Sequence, residues 1–370
     1  MGNGKKFIII HLTLVPFLAA AGELKTKPTQ HSVKTLLAAG IQPDILVCRT
    51  EHSITKKIKE KIAKFCNVET NAVIQSIDAN SIYKVPMLMR QEGLDKIVLS
   101  KLNIKKSKDA NLDNWKKYLN KLDNPSREVK IGIVGKYIEL QDAYKSISEA
   151  IIHSGAENSC KVNISWIDAE TITKKNVGKI LLNLSGVLVA PGFGDRGIEG
   201  KINTIKYLRE QNIPFFGICL GMQSAVIEFS RNVLGLKDAN SIEMNPKTKN
   251  PVICLMENQK TIKQKGGTMR LGSYKCKIQS KSNAHKAYKC LEISERHRHR
   301  YEFNNQYKDQ LEKAGLTTSG INKDNNLVEI IEIPKHKWFV GVQFHPEFKS
   351  TVDNPHPLFS SFIKACINNN

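Results

Sequence analysis

The chain has 370 residues, 41% hydrophobic composition and a formal net charge of +21 at pH 7. Length and apolar content suffice for a sizeable core and more than one domain, which excludes a chain disordered throughout. The positive excess is mostly lysine dispersed along the whole sequence without a dense basic block, so it reads as solvated faces and argues against nucleic acid or an anionic membrane as partner.

The first element is the stretch KKFIIIHLTLVPFLAAAGELKTKPTQHS at 5–32. Two lysines, an apolar run and the small residues Ala19 to Gly22 have the layout of an export signal. The same run, over 7–15, also reads as a fully buried parallel strand. His11, Thr13 and Pro16 inside it weaken the signal core. DILVCR at 44–49 and NAVIQS at 71–76 are further strands, with helix-like stretches around 30–39 and 54–65 between them. That alternation implies an α/β layer fold.

From about Lys105 to Arg127 the chain is polar and lysine-rich, ending in Asn124-Pro125-Ser126, which reads as a helix-containing linker or domain boundary. A second domain opens with KIGIVGKYIE at 130–139 and a helix near 142–153. Strands follow at VNISWID (162–168), GVLVAPGFG (186–194), IPFFGICLG (213–221), NLVEIIEI (326–333) and WFVGVQFHPEF (338–348). Helical stretches lie between most of them, so the expectation is an open, twisted, mostly parallel sheet with ligands at the carboxyl ends of strands. No other apolar run approaches the ~20 residues that span a bilayer. The eight cysteines show no C-x-x-C and no metal-ligand spacing, a pattern that fits a reducing, cytoplasmic setting.

Three strand ends carry chemistry. In FFGICLGMQ, Cys219 lies between Gly217 and Gly221 where an apolar strand meets a helix, the layout of a nucleophile elbow. In VQFHPEF, His345 and Glu347 stand two apart, so an extended chain puts both on one side as a base and its orienting carboxylate. APGFG at 190–194 offers unobstructed backbone N–H groups, as an oxyanion hole needs. In RHRHR, the period of two places Arg296, Arg298 and Arg300 on one strand face, which suits a fixed anion site.

The Cys, His-x-Glu and glycine-loop set resembles the class I glutamine amidotransferase domain, in which the Cys attacks the glutamine side-chain amide and ammonia passes to a synthetase. GELKTKPTQHSV (22–33), GKYIELQDAYKS (135–146), GGTMRLG (266–272) and ERHRHRYEFN (295–304) extend the likeness nearly end to end, to the CTP synthase family. The resemblance implies a partial Rossmann-like (P-loop type) synthetase domain at 1–103, a linker at 104–129 and the amidotransferase domain at 130–370. It makes HLTLVPF an internal strand, which sets the export signal aside. It assigns Cys219, His345 and Glu347 to catalysis, and Gly192, Leu220, Gly221, Met222, Gln223, Glu243 and Arg300 to glutamine, with Arg300 pairing the substrate carboxylate and Glu243 its ammonium.

For the uracil nucleotide, UTP or CTP, the resemblance implies Lys25, Thr26, Lys27, Pro28, Thr29, Gln30 and Lys61. The residue types fit: Lys25 and Lys27 are point charges for a triphosphate, and Thr26, Thr29 and Gln30 carry hydrogen-bonding groups. For ATP it implies Arg49, Ile77, Asp78 and Ala79. The family reaction uses ATP and Mg²⁺ to aminate UTP to CTP, with GTP as activator and a homotetramer as assembly. The pattern G-x-x-x-x-G-K-[ST] occurs nowhere in the 370 residues. The expectation is therefore an N-terminally shortened member that lacks the phosphate loop and metal ligands and retains glutamine hydrolysis. Two alternatives stand beside it: a glutaminase or amidotransferase subunit feeding a separate synthetase, and a non-catalytic nucleotide-binding protein.

Overall fold

The computed structural model describes residues 7–104, 108–255 and 269–369, divided between two compact units, Met1–Leu112 and Asp113–Asn370. The first three residues of GGTMRLG lie outside the described residues.

The first unit runs β1 (Ile10–Leu14), β2 (Phe17–Leu18), β3 (Glu23–Leu24), α1 (Lys27–Ala38), β4 (Ile45–Thr50), α2 (Lys56–Cys66), β5 (Val73–Ile77), α3 (Val85–Gln91) and α4 (Leu94–Lys101). Strands β1, β4 and β5 form a parallel sheet in that order, with Leu12 opposite Val47 and Leu46 opposite Val73. Two caps delimit α2: Thr55 accepts the Ile58 N–H, and Asn67 ends the helix in the left-handed conformation. Its inward residues Ile62, Ala63 and Cys66 join Val15, Val33, Leu46, Cys48 and Val73 in one core. On the opposite face of the sheet, Ile45 and Ile74 pack against Met89, Leu94, Ile97 and Val98.

The run at 7–15 is expected to be fully buried; β1 is instead buried on one face. Thr13 and Val15 point inward, whereas Ile10, Leu12 and Leu14 are exposed. Successive side chains of a strand alternate faces, and β1 pairs only with β4 among the described residues, so its apolar residues at even positions reach the surface.

The second unit begins with α5 (Asp113–Asp123), β6 (Arg127–Gly135), α6 (Lys145–Glu157), β7 (Cys160–Asp168), α7 (Val177–Ile180), β8 (Gly186–Val189), α8 (Ile198–Glu210), β9 (Phe215–Ile218) and α9 (Leu220–Asn232). It continues with β10 (Asn240–Ser241), β11 (Pro251–Leu255), β12 (Arg270–Ile278), α10 (Asn283–Tyr288), β13 (Glu292–His299), β14 (Tyr301–Phe303), α11 (Lys308–Ala314), β15 (Thr317–Asn322), β16 (Leu327–Glu332), β17 (Phe339–Val342) and α12 (Pro357–Ile367). Nine strands form one sheet in the order β13-β12-β15-β16-β17-β9-β8-β6-β7. Pairing is parallel from β17 to β7 and antiparallel from β13 to β17.

The central parallel strands β8, β9 and β17 are covered on both faces, which is why they read as unbroken apolar runs. Phe215, Val187 and Phe339 face α8 and α9, where Ile202, Ile205 and Val226 pack. Phe216, Leu188 and Val340 face α6 and α12, where Ile147, Ile151, Phe359 and Phe362 pack.

The stretch 104–129, expected as a linker, is divided: from Asp113 onward it belongs to the second unit. The cause is an amphipathic α5, whose buried Tyr118 meets His153 of α6 with ring centroids 6.2 Å apart. None of the eight cysteines, all among the described residues, is in a disulfide. No helix among the described residues is long and apolar enough to cross a membrane.

Candidate active site

At the carboxyl end of β9 the chain turns sharply into α9, and Cys219 occupies the turn with φ 51° and ψ −103°. That backbone region is unfavourable for a residue with a side chain, and it holds only because the surroundings over-determine it. The flanking glycines are part of that constraint. A Cβ on Gly217 would lie 2.8 Å from the Gly221 carbonyl carbon, and one on Gly221 would lie 2.2 Å from the Val189 carbonyl oxygen of β8. The Cys219 N–H donates to the Val342 carbonyl at 2.7 Å, which ties the turn to the end of β17. The side chain therefore sits at the N-terminus of α9, where backbone N–H groups and the helix dipole favour an anion.

The chain leaving β17 brings His345 to the same place. Here the structure differs from the expected extended strand: β17 ends at Val342, and Pro346 starts a short 3₁₀ turn over Pro346–Lys349 with His345 as its N-cap. A proline preset for helical φ favours that start. The pair expected from the spacing still forms, with Nδ1 of His345 2.7 Å from Oε1 of Glu347, both side chains buried. Burial pushes the imidazole pKa down, but the Cys219 side chain and the Glu347 carboxylate outweigh it and lift it to about 10. Nε2 of His345 has no hydrogen-bond partner among the described residues, and Cys219 acts on the ring as a near neighbour.

The loop at 190–194 is the third wall. Three charged side chains hold it: Lys201 of α8 donates to the Ala190 carbonyl at 2.7 Å, Lys136 donates to the Phe193 carbonyl, and Glu243 accepts the Gly194 N–H at 2.9 Å. Lys201 is fully buried. Burial, with repulsion from Lys136, outweighs attraction to Cys219 and brings its pKa down to about 7. A cavity of about 260 Å³ opens between these walls, lined among others by Tyr144, Gly192, Cys219, Arg298, His345 and Phe348.

The residues expected to hold glutamine are thus placed unevenly. Gly192 lines the cavity. Leu220, Gly221 and Met222 are buried in the first turn of α9, directly after the nucleophile. The Gln223 amide is turned inward, donating to the Tyr301 carbonyl at 2.9 Å and to Oε1 of Gln343 at 3.2 Å. Glu243 and Arg300 are both within electrostatic reach of the Tyr301 hydroxyl, whose pKa burial raises, Glu243 raises further and Arg300 lowers. Of the arginine face of β13, it is Arg298 that reaches the cavity.

The opposite face of β13 carries a network that sequence reasoning missed. Arg270, His297, His299, Glu302 and Glu329 are all buried, with Arg270 2.7 Å from Glu329 and His297 2.8 Å from His299. Burial pushes the Glu329 carboxyl up to about 7 and the His299 imidazole down to about 3. The signal was in RHRHR itself, because a strand that exposes its arginines must bury its histidines. Gln343 and Lys201 were missed as well. Gln343 stands two before His345, the same spacing that pointed from His345 to Glu347. Lys201 left no signal, since a lysine in a helix reads as solvated.

In the first unit the nucleotide candidates gather at the carboxyl ends of β1, β4 and β5, the usual ligand edge of a parallel sheet. Pro28 and Arg49 line a second cavity of about 450 Å³. Arg49 pairs with Asp78 at 3.2 Å, and Ile77 is the last residue of β5, followed by Ala79 one position past Asp78. Lys25 pairs with Glu23, while Lys27, with Pro28, opens α1. Thr29 is not free for a ligand: it is buried and its hydroxyl donates to the Leu14 carbonyl at 2.8 Å, as Gln30 donates to the Thr26 hydroxyl at 3.1 Å. Lys61 is exposed on α2. No group of three or more His, Cys, Asp or Glu residues among the described residues is arranged to hold a metal ion.

Comparison with known proteins agrees with both units. Residues 139–365 match the family described as glutamine amidotransferase class-I, and residues 2–104 match CTP synthase N-terminus. A CTP synthase of Flavobacterium johnsoniae is 61% identical over 361 residues, 98% of this chain and 67% of that protein. One from Bacteroides fragilis is 56% identical over 364 residues, 98% of this chain and 68% of that protein. The chain thus spans about two thirds of the length of the relatives it matches. A solved structure of the Trypanosoma brucei CTPS glutaminase domain with bound acivicin covers 65% of this chain and 95% of its own, with a TM-score of 0.62 and 38% identity. With both units matched and identity above half along nearly all its length, the chain belongs to the CTP synthase family.

Proposed function

We propose that the second unit hydrolyses glutamine and that the chain thereby serves the ATP-dependent amination of UTP to CTP. Sγ of Cys219 attacks the side-chain amide carbon, and the C–S bond forms as the carbonyl electron pair moves onto oxygen. The N–H groups of Gly192, in the loop that lines the cavity, and of Leu220, the first residue of α9, hold that oxyanion. A His345 pKa near 10 keeps a proton available at neutral pH, and this proton goes to the leaving nitrogen as the C–N bond breaks. His345 then takes a proton from water, which attacks the thioester and returns the electron pair to sulfur. Glu347 fixes the tautomer and direction of the imidazole through Nδ1.

The observation that carries this reading is the strained Cys219 turn facing the same cavity as the His345–Glu347 pair and the glycine loop. A glutaminase assay with and without acivicin, followed by mapping of the modified residue, tests it. The expected result is hydrolysis blocked by acivicin with the label on Cys219; hydrolysis without labelling there, or unchanged in Cys219→Ala, removes the assignment.

For the synthetase half, Lys25, Lys27 and Lys61 supply charge for a UTP or CTP triphosphate, and Arg49, Ile77, Asp78 and Ala79 the ATP edge; the position of Arg49 and Ile77 to Ala79 at the ends of β4 and β5, and of Pro28 with Arg49 on one cavity, supports this. Mg²⁺ neutralises the phosphates in the family reaction; no cluster of three or more His, Cys, Asp or Glu residues is arranged to hold it among the described residues. GTP activation and tetramer assembly rest on the family likeness alone. Supplying free ammonia in place of glutamine isolates this half.

A further inference from the structure

We propose that Gln343 is a further catalytic residue of the Cys219 site, its side-chain N–H donating to the sulfur, holding it toward the cavity and favouring its anionic form. The proposal rests on Cys219 being the nucleophile. Gln343 is fully buried just beyond β17, and its Nε2 lies 3.6 Å from Sγ. Its backbone is fixed by a bond from its N–H to the Glu329 carbonyl at 2.9 Å.

A buried amide can present either nitrogen or oxygen to a neighbour, and here the hydrogen-bond chain decides which. Gln223 reaches the Tyr301 carbonyl at 2.9 Å; a carbonyl only accepts, so the Gln223 atom there is its nitrogen. The second hydrogen of that nitrogen goes to Gln343 at 3.2 Å, so the Gln343 atom on that side is its oxygen. Nitrogen is then left for the sulfur. Reversing the Gln343 amide would set oxygen against an anionic sulfur and leave two nitrogens facing each other, each a buried unmet donor. Gln223 is therefore a positioning residue, and the relay runs from the Tyr301 carbonyl to the nucleophile.

A donor aimed at sulfur acts twice in the reaction. It supports the thiolate before attack, and it receives the electron pair again when the C–S bond of the thioester breaks and thiolate leaves. Among the described residues, the other charged groups on the same cavity are His345 and Glu347 from the turn after β17, Arg298 from β13 and Asp142 ahead of α6, and Lys201 from α8 is within electrostatic reach of the sulfur. All remain when Gln343 or Gln223 is replaced.

The test is the pH profile of iodoacetamide alkylation in the full chain, with the modified residue mapped, for the unmodified protein and for Gln343→Met, Gln343→Glu and Gln223→Met. The profile of Gln343→Met is expected to move about one unit to the alkaline side, about tenfold slower alkylation at a given pH on the rising limb. Gln343→Glu should move further, since it sets a carboxylate against the sulfur, and Gln223→Met less, in the same direction. Thermal unfolding confirms which variants fold, and if Gln343→Met does not, Gln223→Met decides. Profiles that superimpose on that of the unmodified protein in folded variants overturn the proposal. Alkylation of the exposed Cys290 is expected alongside; no alkylation mapped to Cys219 in the unmodified protein overturns the nucleophile assignment instead.

Discussion

The two candidate sites of this molecule are built to opposite standards. In the second unit Cys219, His345 and Glu347 are buried and the walls of the site are held in place: the Cys219 turn by β17, the imidazole by Glu347, the glycine loop by two lysines and a glutamate. In the first unit Lys27, Pro28, Arg49, Lys61 and Asp78 are exposed, and the exposed pair of Arg49 and Asp78 is open to solvent and salt. Bond making at an amide requires atoms held to fractions of an ångström, whereas a triphosphate is gathered by charge over a longer range. The difference teaches which site should be brittle to single changes and which should respond gradually.

The sharpest break comes from Cys219→Ala, expected to lower glutaminase kcat about 10⁴-fold or more without loss of fold. His345→Ala should cost about 10²–10⁴-fold and Glu347→Gln less, since the carboxylate acts through the imidazole; steady-state ammonia release reads both. Gly221→Ala tests brittleness in stability. Its Cβ would meet the Val189 carbonyl at 2.2 Å, backbone that cannot step aside, and a loss of about 2 kcal/mol in denaturant unfolding is expected.

A finer test uses pH. The folded-state pKa of His345 is raised to about 10, so its contribution to stability is fully present below an unfolded value of 6.5 and is lost as pH rises toward 10. Lys201, lowered to about 7, runs the other way over the range from 7 to 10.5. The quantity to measure is therefore the difference in melting temperature between the unmodified protein and His345→Gln, which should shrink between pH 7 and 10. A difference that stays constant across that range would contradict the raised value. The smallest effect belongs to the first unit: Lys27→Gln should weaken UTP binding by about fivefold, or about 1 kcal/mol, with a shallower salt dependence in calorimetric titration. A loss as large as that of Cys219→Ala would erase the contrast between the two sites.

Much of this was legible in the sequence, for reasons of local physics. The central strands β8, β9 and β17 announced themselves as apolar runs because both their faces are buried, and the nucleophile turn did so because only glycine fits at 217 and 221, where other backbone passes within van der Waals contact. The His345–Glu347 pair was readable as a spacing of two, although a 3₁₀ turn rather than a strand makes it. Periodicity does not say which faces are covered, so the open face of β1 and the inclusion of α5 in the second unit emerged only from packing. Nor does it reveal long-range partners. Gln343 meets Cys219 from 124 positions away, Gln223 meets Tyr301 across 78, and Lys201 points beneath the glycine loop because α8 packs there. The chain's own composition and spacing determined the elements and the chemical groups they carry; the tertiary structure alone decided which of those groups face one another, because a hydrogen bond depends on distance in space and not along the chain.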